Sequence, residues 1–556
     1  MIARLQPASA KRFAGFAAFF IFVIAGSAAL LSAHRYFNGG QSYEFCHYSE
    51  IASNLLDGKG FVSASQTGGN LAFLDWRGRS PQGAGFEASR FPLQALLFAA
   101  MQAVFGRGDF AGLAAGALAH ALWSAAVFVC GVLFFSPWAA FCAALLWALN
   151  PALTAGMVPG GFPDILAGLL CTLAGFGFIY GLQNAKGKKW FFGVGLLCGL
   201  AYLSRFTVEI FLPLFPIFAF RLAGWKRGLS LCAFMAAGAL IALLPWFAYV
   251  LHMTGVMSPP LFWTQLAAHS ITGPVPWHEY RLFGPQDFAS PGAATLLADK
   301  WLKNFVSLAR DLPGFWFLYL AWPLAFAFMF KTLAEKTVLR PLAAFYLAAL
   351  LLQALGFSLL RHETLGFMGG RYYLWLGPLV VLCACQFISE IKAAFAFPSG
   401  FLGLFAAANL SVYAYCYWKI EPPSVLPVME WAEVSWAHEL PPDSAVVSNI
   451  PAQVSWYAEK ASISLPPLPE NLPEILKKHE AGFLLLSPSA AGEQWNYPAW
   501  GGVARLEPQA LSLLRESTGF ELVRADGGAL LFARPGPTSA PARSRPAGPG
   551  RARLRS

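Results

Sequence analysis

Residues 43–61 read Tyr-Glu-Phe-Cys-His-Tyr-Ser-Glu-Ile-Ala-Ser-Asn-Leu-Leu-Asp-Gly-Lys-Gly-Phe and follow the first apolar run of membrane-spanning length. At helical spacing, one stripe of this stretch is apolar and the other is polar, which is typical of a helix in the interface between membrane and water. The two stripes consist of Phe45, Tyr48, Ile51, Ala52 and Leu55, and of His47, Glu50, Asn54 and Asp57. Gly58 and Gly60 predict the end of the helix. Glu44 lies in its first turn, so we expect its carboxylate at the height of the membrane surface, where it can meet a lipid-borne substrate.

The composition predicts a helical membrane protein with many spans. Of the 556 residues, 57% are hydrophobic and 12% are charged, whereas soluble globular proteins carry about 25% charged residues. The net charge of +10 does not indicate nucleic-acid binding, because lysine and arginine collect in the cytoplasmic loops of membrane proteins. The nine cysteines lack the paired spacing of metal ligands and lie mostly in apolar runs. We therefore expect neither a disulfide framework nor a zinc site.

The apolar runs predict about eleven membrane spans, since each span needs about 20 residues. The first run, 13–31, follows a basic N-terminus; a cleaved signal peptide is the alternative, but the run is long for a signal core and ends in a poor cleavage site. With this run retained, the short loops rich in lysine and arginine fall on the cytoplasmic side and both long loops fall outside. The predicted parts are a cytoplasmic N-terminus at 1–12 and a membrane domain at 13–419 with outer loops at 33–109 and 252–311.

The composition becomes that of a soluble domain at residue 420. Strand-like and helical segments alternate from there to residue 534, which predicts a small C-terminal α/β domain. A β-hairpin is expected around Asp526-Gly527-Gly528. By the count of spans, this domain is extracytoplasmic. Residues 535–556 are rich in proline, alanine and arginine, and we expect this basic tail to be disordered.

Several short motifs on the predicted outer side combine a charged residue with proline or aromatic neighbours. They are Arg90-Phe91-Pro92-Leu93, Phe162-Pro163-Asp164, Leu203-Ser204-Arg205-Phe206, and Gly370-Arg371-Tyr372-Tyr373-Leu374 with Pro378. Their order and spacing resemble the GT-C membrane glycosyltransferases that use polyprenyl-phosphate sugars, a group that includes the lipid A aminoarabinose transferase and the protein O-mannosyltransferases. In that family the interfacial helix commonly reads Asp-Glu-x-x-Tyr-x-x-Ile-x-x-x-Leu. Tyr48, Ile51 and Leu55 match this pattern, which puts Glu44 in the place of the catalytic aspartate and Phe45 in the place of the neighbouring glutamate.

The resemblance implies a polytopic α-helical GT-C fold and an inverting glycosyltransferase in the inner (plasma) membrane. Such an enzyme moves a hexose or pentose from a polyprenyl-phosphate donor to a hydroxyl of a lipid, glycan or protein on the outer face. The resemblance assigns catalytic roles to Glu44 and Asp164. Substrate-binding roles are expected for Arg90, Arg205, Arg361, His362, Arg371 and Tyr372.

The chemistry of the reaction explains these residue types. The acceptor hydroxyl needs a base, for which Glu44 is the candidate. The phosphate leaves without a proton but needs positive charge, which arginine supplies with two hydrogen bonds at once. A nucleotide-binding glycine loop does not occur in the sequence, which fits a donor that is not a nucleotide. No cofactor is implied besides the lipid-linked sugar, and a divalent metal is left open.

The sequence leaves two other functions open, namely a transporter or lipid flippase and a catalytically inactive scaffold of the same fold. The spans carry few charges and show no evident inverted repeat, which argues against transport. The replacement of the family's aspartate by Glu44 favours the scaffold. Structural explanations also exist for single residues: Glu44 and Asp164 suit helix N-termini, and Arg371 suits an interfacial anchor. His47, His278 and Glu279 are expected at the surface.

Overall fold

The computed structural model is predominantly helical. It describes residues 8–79, 84–257, 261–267, 270–272, 276–360, 370–394, 400–419, 426–488 and 497–535. Within these ranges, eight helices are long and apolar enough to cross a membrane, and nine if a bent pair counts as one span. The chain is therefore a multi-pass membrane protein.

The described residues form a long succession of helices, which we number in chain order. They are α1 (Ala8–Tyr36), α2 (Tyr43–Leu56), α3 (Gly68–Trp76), α4 (Pro92–Phe105), α5 (Asp109–Phe134), α6 (Pro137–Ala148), α7 (Asp164–Gln183), α8 (Lys188–Ser204), α9 (Leu214–Ala223), α10 (Trp225–Thr254), α11 (Leu261–Ala267), α12 (Pro291–Asp311), α13 (Ala321–Ala334), α14 (Arg340–Leu360), α15 (Gly377–Ala394), α16 (Gly400–Lys419), α17 (Ala432–Glu439), α18 (Pro451–Ala458), α19 (Leu472–Lys478), α20 (Gly501–Ala504) and α21 (Pro508–Thr518). Short 3₁₀ turns precede α9 and α15, at Phe206–Phe211 and Arg371–Leu376.

Of the about eleven spans predicted from the sequence, three differ in the structure. The expected spans at α8 and α16 are helices but fall outside the set long and apolar enough to cross. With 17 residues, α8 is about 25 Å long, which is shorter than the hydrocarbon core of about 30 Å. The span expected at 312–330 starts later, because the chain bends by 110° between α12 and α13. Trp316 and Phe317 take positive φ angles of 55° and 56° in that bend.

The helices pack closely where small residues face each other. The clearest case is the crossing of α8 and α10, because Gly195 and Gly238 lie at their contact. A Cβ atom on Gly195 would lie 1.9 Å from the carbonyl oxygen of Met235, and one on Gly238 would lie 2.1 Å from that of Phe192. Only glycine allows the two backbones to approach this closely, as is common between membrane helices.

The strands form two sheets. The larger belongs mainly to the C-terminal part, by which we mean the described residues 426–488 and 497–535. The strands are β1 (Val62–Ser63), β2 (Ser65–Gln66), β3 (Gly85–Phe86), β4 (Ala445–Ser448), β5 (Ala461–Ser464), β6 (Phe483–Leu486), β7 (Glu521–Asp526) and β8 (Ala529–Ala533). β1 pairs with β3, and the larger sheet has the order β2-β5-β4-β6-β8-β7. β2, β5, β4 and β6 are parallel, and β8 and β7 are antiparallel additions. The predicted α/β arrangement and its hairpin are confirmed.

One strand of this sheet was not expected. β2 lies in the first long loop, between α1 and α5, and pairs in parallel with β5 at Ser65–Ser462 and Gln66–Ile463. The larger sheet therefore includes a strand from before the predicted boundary at residue 420. Residues 1–7 and 536–556, which include most of the predicted N-terminal segment and tail, lie outside the described residues.

Candidate active site

Glu44, the predicted catalytic residue, lies in the first turn of α2. The Ser42 side chain caps this helix and accepts a hydrogen bond from the backbone N–H of Glu44 at 3.2 Å. Phe45 packs against Phe37 and Phe98, with ring centroids 5.1 and 5.9 Å apart. The cap and the aromatic contacts together fix the turn that carries the Glu44 carboxylate.

Three of the four residues in the polar stripe of α2 are buried and Asp57 is exposed, so the prediction that His47 lies at the surface is wrong. His47, Glu50 and Asn54 are 0%, 8% and 9% exposed. α18 of the C-terminal part and β1 pack against α2, and the side chains of this stripe bond to that surrounding structure. Asn54 donates to the carbonyl oxygen of Val62 at 2.9 Å. The sequence shows that a face is polar, but not whether another part of the chain covers it.

Two arginines flank the Glu44 carboxylate. Nη1 of Arg90 lies 3.4 Å from Glu44 Oε1, and Nη1 of Arg371 lies 3.9 Å from the same oxygen. The guanidinium of Arg90 also stacks on the rings of Tyr43 and Tyr48, at 5.3 and 5.7 Å from their centroids. Because Glu44 and Arg371 are almost buried, these contacts offset part of the cost of removing the charges from water.

Asp164 forms a second, tighter pair at the start of α7. Its Oδ2 atom lies 2.6 Å from Nη1 of Arg205, and the Asp164 side chain is 2% exposed. Arg205 occupies the extended break after α8, as the sequence predicted for a basic turn. The adjacent Ser204 hydroxyl donates to the carbonyl oxygen of Pro163 at 3.0 Å. This second contact holds the end of α8 against the start of α7.

Tyr372 joins the two pairs into one cluster. Arg205 and Arg371 both stack on its ring, at 4.7 and 4.9 Å from the centroid. Arg371 also donates from Nη2 to the Tyr372 hydroxyl at 2.8 Å. The structure thus brings together six of the eight residues that the sequence singled out: Glu44, Arg90, Asp164, Arg205, Arg371 and Tyr372. The other two, Arg361 and His362, lie outside the described residues.

Sequence reasoning missed a buried pair next to this cluster. His47 Nε2 lies 3.2 Å from Glu87 Oε2, and both side chains are fully buried. Burial alone would raise the pKa of Glu87, but His47, Ser89 and Arg90 lower it below the usual range of glutamate. The lowered pKa favours the ionised form of Glu87, and both Glu44 and Glu87 act electrostatically on Arg90. The signal available in the sequence was an acidic residue three positions before Arg90 in a predicted outer loop.

The environment of Glu50 also differs from the expectation for a surface residue. Its carboxylate accepts hydrogen bonds from the Ser63 hydroxyl at 2.7 Å and from the Ala64 backbone at 2.5 Å. Burial raises its pKa. His278, likewise expected at the surface, is 2% exposed and hydrogen bonds to Tyr497.

Within the part of the chain that the structure describes, no three His, Cys, Asp or Glu side chains are grouped so that they could hold a metal ion.

Comparisons with known proteins identify the fold. The sequence family described as dolichyl-phosphate-mannose-protein mannosyltransferase matches residues 89–251, a segment that contains Arg90, Asp164 and Arg205. Among solved structures, ArnT from Cupriavidus metallidurans bound to undecaprenyl phosphate has a TM-score of 0.56 at 12% identity, over 95% of this chain and 98% of ArnT. The chain has the GT-C fold. No curated protein sequence matches the chain.

The GT-C fold is shared with archaeal oligosaccharyltransferases as well. The enzyme of Archaeoglobus fulgidus in complex with zinc and sulfate gives a TM-score of 0.57 at 13% identity, over 92% of this chain and 73% of that one. AglB of the same organism, in complex with an inhibitory peptide and a dolichol-phosphate, gives 0.55 at 12% identity, over 93% and 74%. The likeness to ArnT covers 95% of this chain, so it extends into the C-terminal part.

Proposed function

We propose that this protein is an inverting glycosyltransferase that transfers a sugar from a polyprenyl-phosphate donor to a hydroxyl of a lipid, glycan or protein acceptor. The observation that carries the proposal is the buried cluster in which Glu44 and Asp164 are held by Arg90, Arg205 and Arg371. A carboxylate next to several guanidiniums suits a reaction in which a base takes a proton while a phosphate gains charge. The family match over residues 89–251 supports the same class of reaction.

Glu44 is the proposed base of the reaction. The acceptor oxygen attacks the anomeric carbon and gives its proton to the Glu44 carboxylate. The bond between that carbon and the phosphate oxygen breaks, and its electron pair stays on the departing lipid phosphate. Attack from the face opposite to the phosphate inverts the configuration at the anomeric carbon. Arg90, whose Nη1 atom lies 3.4 Å from Glu44 Oε1, orients the carboxylate for this proton transfer.

Arg371 is the proposed phosphate ligand. Its Nη1 atom lies 3.9 Å from Glu44 Oε1, which is long for an ion pair, and its Nη2 atom is bonded to the Tyr372 hydroxyl, so a phosphate can share the charge of Arg371 without displacing a close ion pair to Glu44. Arg205, by contrast, is held by Asp164 at 2.6 Å. We therefore assign to the pair Asp164–Arg205 the role of fixing the ring of Tyr372 beside Arg371. In this proposal Arg371 binds the phosphate, and Arg205 stays paired with Asp164.

The nature of the donor is supported by the similar structures. ArnT was solved with undecaprenyl phosphate and AglB with a dolichol-phosphate, and both lipids are polyprenyl phosphates. A panel of polyprenyl-phosphate sugars, offered with lipid, glycan and peptide acceptors, tests the proposal and narrows the substrates. We expect one donor to raise the mass of one acceptor class by a single sugar residue. Flipping of the donor between leaflets without any transfer would favour a transporter instead.

The proposed site requires the first long loop and the C-terminal part to lie on the outer face. We expect cysteines introduced at Lys59 and Arg515, whose side chains are 59% and 69% exposed, to react with a membrane-impermeant reagent added outside intact cells. Cysteines at Lys188 and Lys226, which are also exposed, should react only after the membrane is opened. The unmodified protein is the control, because it gives the labelling of the nine native cysteines. Labelling at Arg515 only from the cytoplasm would contradict the orientation.

A further inference from the structure

The segment that leads into α2 is hydrogen bonded by the C-terminal part at three successive points. The backbone of residues 38–41 supplies one group for each bond, and the partners come from the 3₁₀ turn Val428–Glu430, which precedes α17, and from α18. The Val428 N–H donates to the backbone carbonyl oxygen of Asn38 at 3.0 Å, and the Gly40 N–H donates to the Tyr457 hydroxyl oxygen at 2.5 Å. Gln453 Nε2 donates to the backbone carbonyl oxygen of Gln41 at 2.8 Å. The next residue, Ser42, is the N-cap of the helix that carries Glu44.

Two glycines let this segment pass close to its partners. Gly39 has a φ angle of +90°, which favours glycine, and a Cβ atom there would lie 3.0 Å from Val428. A Cβ atom on Gly40 would lie 3.1 Å from the Tyr457 hydroxyl and 2.5 Å from Cys46 Sγ. The segment is therefore packed tightly between α2 and the C-terminal part, and it has little room to shift.

Tyr457 also connects this segment to the membrane helix α5. Its hydroxyl donates to Asp109 Oδ2 at 2.8 Å while accepting from Gly40, and Trp456 Nε1 donates to Asp109 Oδ1 at 3.0 Å. Asp109 is the first residue of α5. A single hydroxyl thus joins the first turn of a membrane helix to the residues that precede Glu44.

A second connection reaches α2 through the sheet. Glu50 accepts hydrogen bonds from Ser63 and Ala64, and these residues directly precede β2. β2 in turn pairs with β5, the strand that follows α18. The start of α2 is therefore attached to α18 directly, and its middle is attached to β5 through β2.

We propose that α18 is a positioning element of the active site and that Tyr457 is its central positioning residue. This inference rests on the proposed function, in which Glu44 acts as the base. Glu44 moves with α2, whereas Asp164, Arg205 and Arg371 belong to α7, the end of α8 and the turn before α15. Loosening the segment before α2 displaces the base from the acceptor hydroxyl while leaving Arg371, the proposed phosphate ligand, in place. A displacement of about 1 Å lowers turnover by up to about a hundredfold.

The test removes the hydroxyl of Tyr457 in one variant and the hydroxyl of Tyr497 in a matched control variant. Tyr457→Phe removes the bonds to Gly40 and Asp109. Tyr497→Phe removes a bond of equal length, 2.5 Å, between the C-terminal part and His278, which lies outside the segment before α2. We expect Tyr457→Phe to lower kcat about tenfold or more with the donor KM little changed, and Tyr497→Phe to leave both close to those of the unmodified protein.

Hydrogen exchange of the peptide that covers residues 38–50 provides a readout that needs no activity. We expect its amides to exchange faster in Tyr457→Phe than in the unmodified protein, and not in Tyr497→Phe, because local opening follows the loss of local contacts. Unchanged exchange in Tyr457→Phe would overturn the proposal, as would equal losses of kcat in both variants or a rise in donor KM alone. If the unmodified protein shows no transfer but the exchange result holds, the proposed function fails, and the result shows only that Tyr457 fixes the segment before α2.

Discussion

Replacement of Glu44 by glutamine is expected to lower sugar transfer by about two to four powers of ten, the usual contribution of general base catalysis. Glutamine keeps the size of the side chain and can still bond to Arg90, which lies 3.4 Å from Glu44 Oε1, but it cannot accept the proton of the acceptor hydroxyl. The donor should therefore bind normally while kcat falls. The measurement is initial transfer rate together with donor binding in both proteins.

The control for this prediction is a buried glutamate elsewhere. Glu433 is 3% exposed and accepts a hydrogen bond from Ser487, so Glu433→Gln disturbs the C-terminal part without touching the cluster. It should keep most of the transfer activity. Glu50 is unsuitable as a control, because it holds Ser63 and Ala64. Retention of full activity in Glu44→Gln would remove Glu44 from the mechanism.

The variant Glu44→Asp examines the departure from the family pattern. It restores the aspartate that the resemblance predicts at this position, but it draws the carboxylate back by about one bond length. In a site built around glutamate, with Arg371 already 3.9 Å from the carboxylate, we expect activity between those of the unmodified protein and Glu44→Gln. Activity above that of the unmodified protein would indicate that the acceptor hydroxyl lies closer to α2 than the reach of a glutamate implies.

The second large effect is expected for Arg371→Lys. Lysine keeps the charge but loses the planar group that can bind two phosphate oxygens at once. It also loses the stacking of Arg371 on Phe162 and Tyr372, at 5.1 and 4.9 Å. We expect kcat/KM for the donor to fall about ten- to a hundredfold, the size expected for losing one hydrogen bond to a charged group. Steady-state kinetics with varied donor concentration measure this loss.

The matched substitution is Arg524→Lys. Arg524 pairs with Glu439 at an exposed position of the C-terminal part, where its side chain is 46% exposed. Exposed ion pairs contribute little to stability, so this change should leave both kinetics and thermal unfolding unaltered. Arg371→Lys with unchanged donor kinetics would show that phosphate is bound elsewhere.

Much of the cluster could be predicted because its members stand in short motifs. Glu44 is placed by Tyr48, Ile51 and Leu55 in the same helix, and Asp164 and Arg205 stand at predicted span ends. What the sequence did not show is the pairing: Arg205 with Asp164, and Arg371 with Glu44. Such pairs join residues far apart in the chain, and helical periodicity carries no information on contacts of that kind.

Two further features of the structure, the strand β2 and the burial of polar residues on α2, could not be predicted from the sequence for physical reasons. Ser65 and Gln66 form a two-residue strand with too little sequence to show the alternation that identifies strands. Their pairing with β5 is what ties the first long loop to the C-terminal sheet. His47 and Glu50 are polar and occupy the face that should be exposed, yet both are buried. Amphipathicity reports the chemistry of a face, and a polar face can be buried when hydrogen bonds and charge pairs satisfy it.

The most direct test of the central claim is the release of free polyprenyl phosphate by the purified full-length chain. The protein is mixed with a polyprenyl-phosphate sugar in detergent or lipid, with and without candidate acceptors, and the free lipid phosphate is measured over time. We predict acceptor-dependent release matched by one sugar added per lipid phosphate freed, and its loss in Glu44→Gln. Equal release by the unmodified protein and Glu44→Gln, or donor binding without any release across the acceptor panel, would contradict the proposed role of Glu44 in sugar transfer.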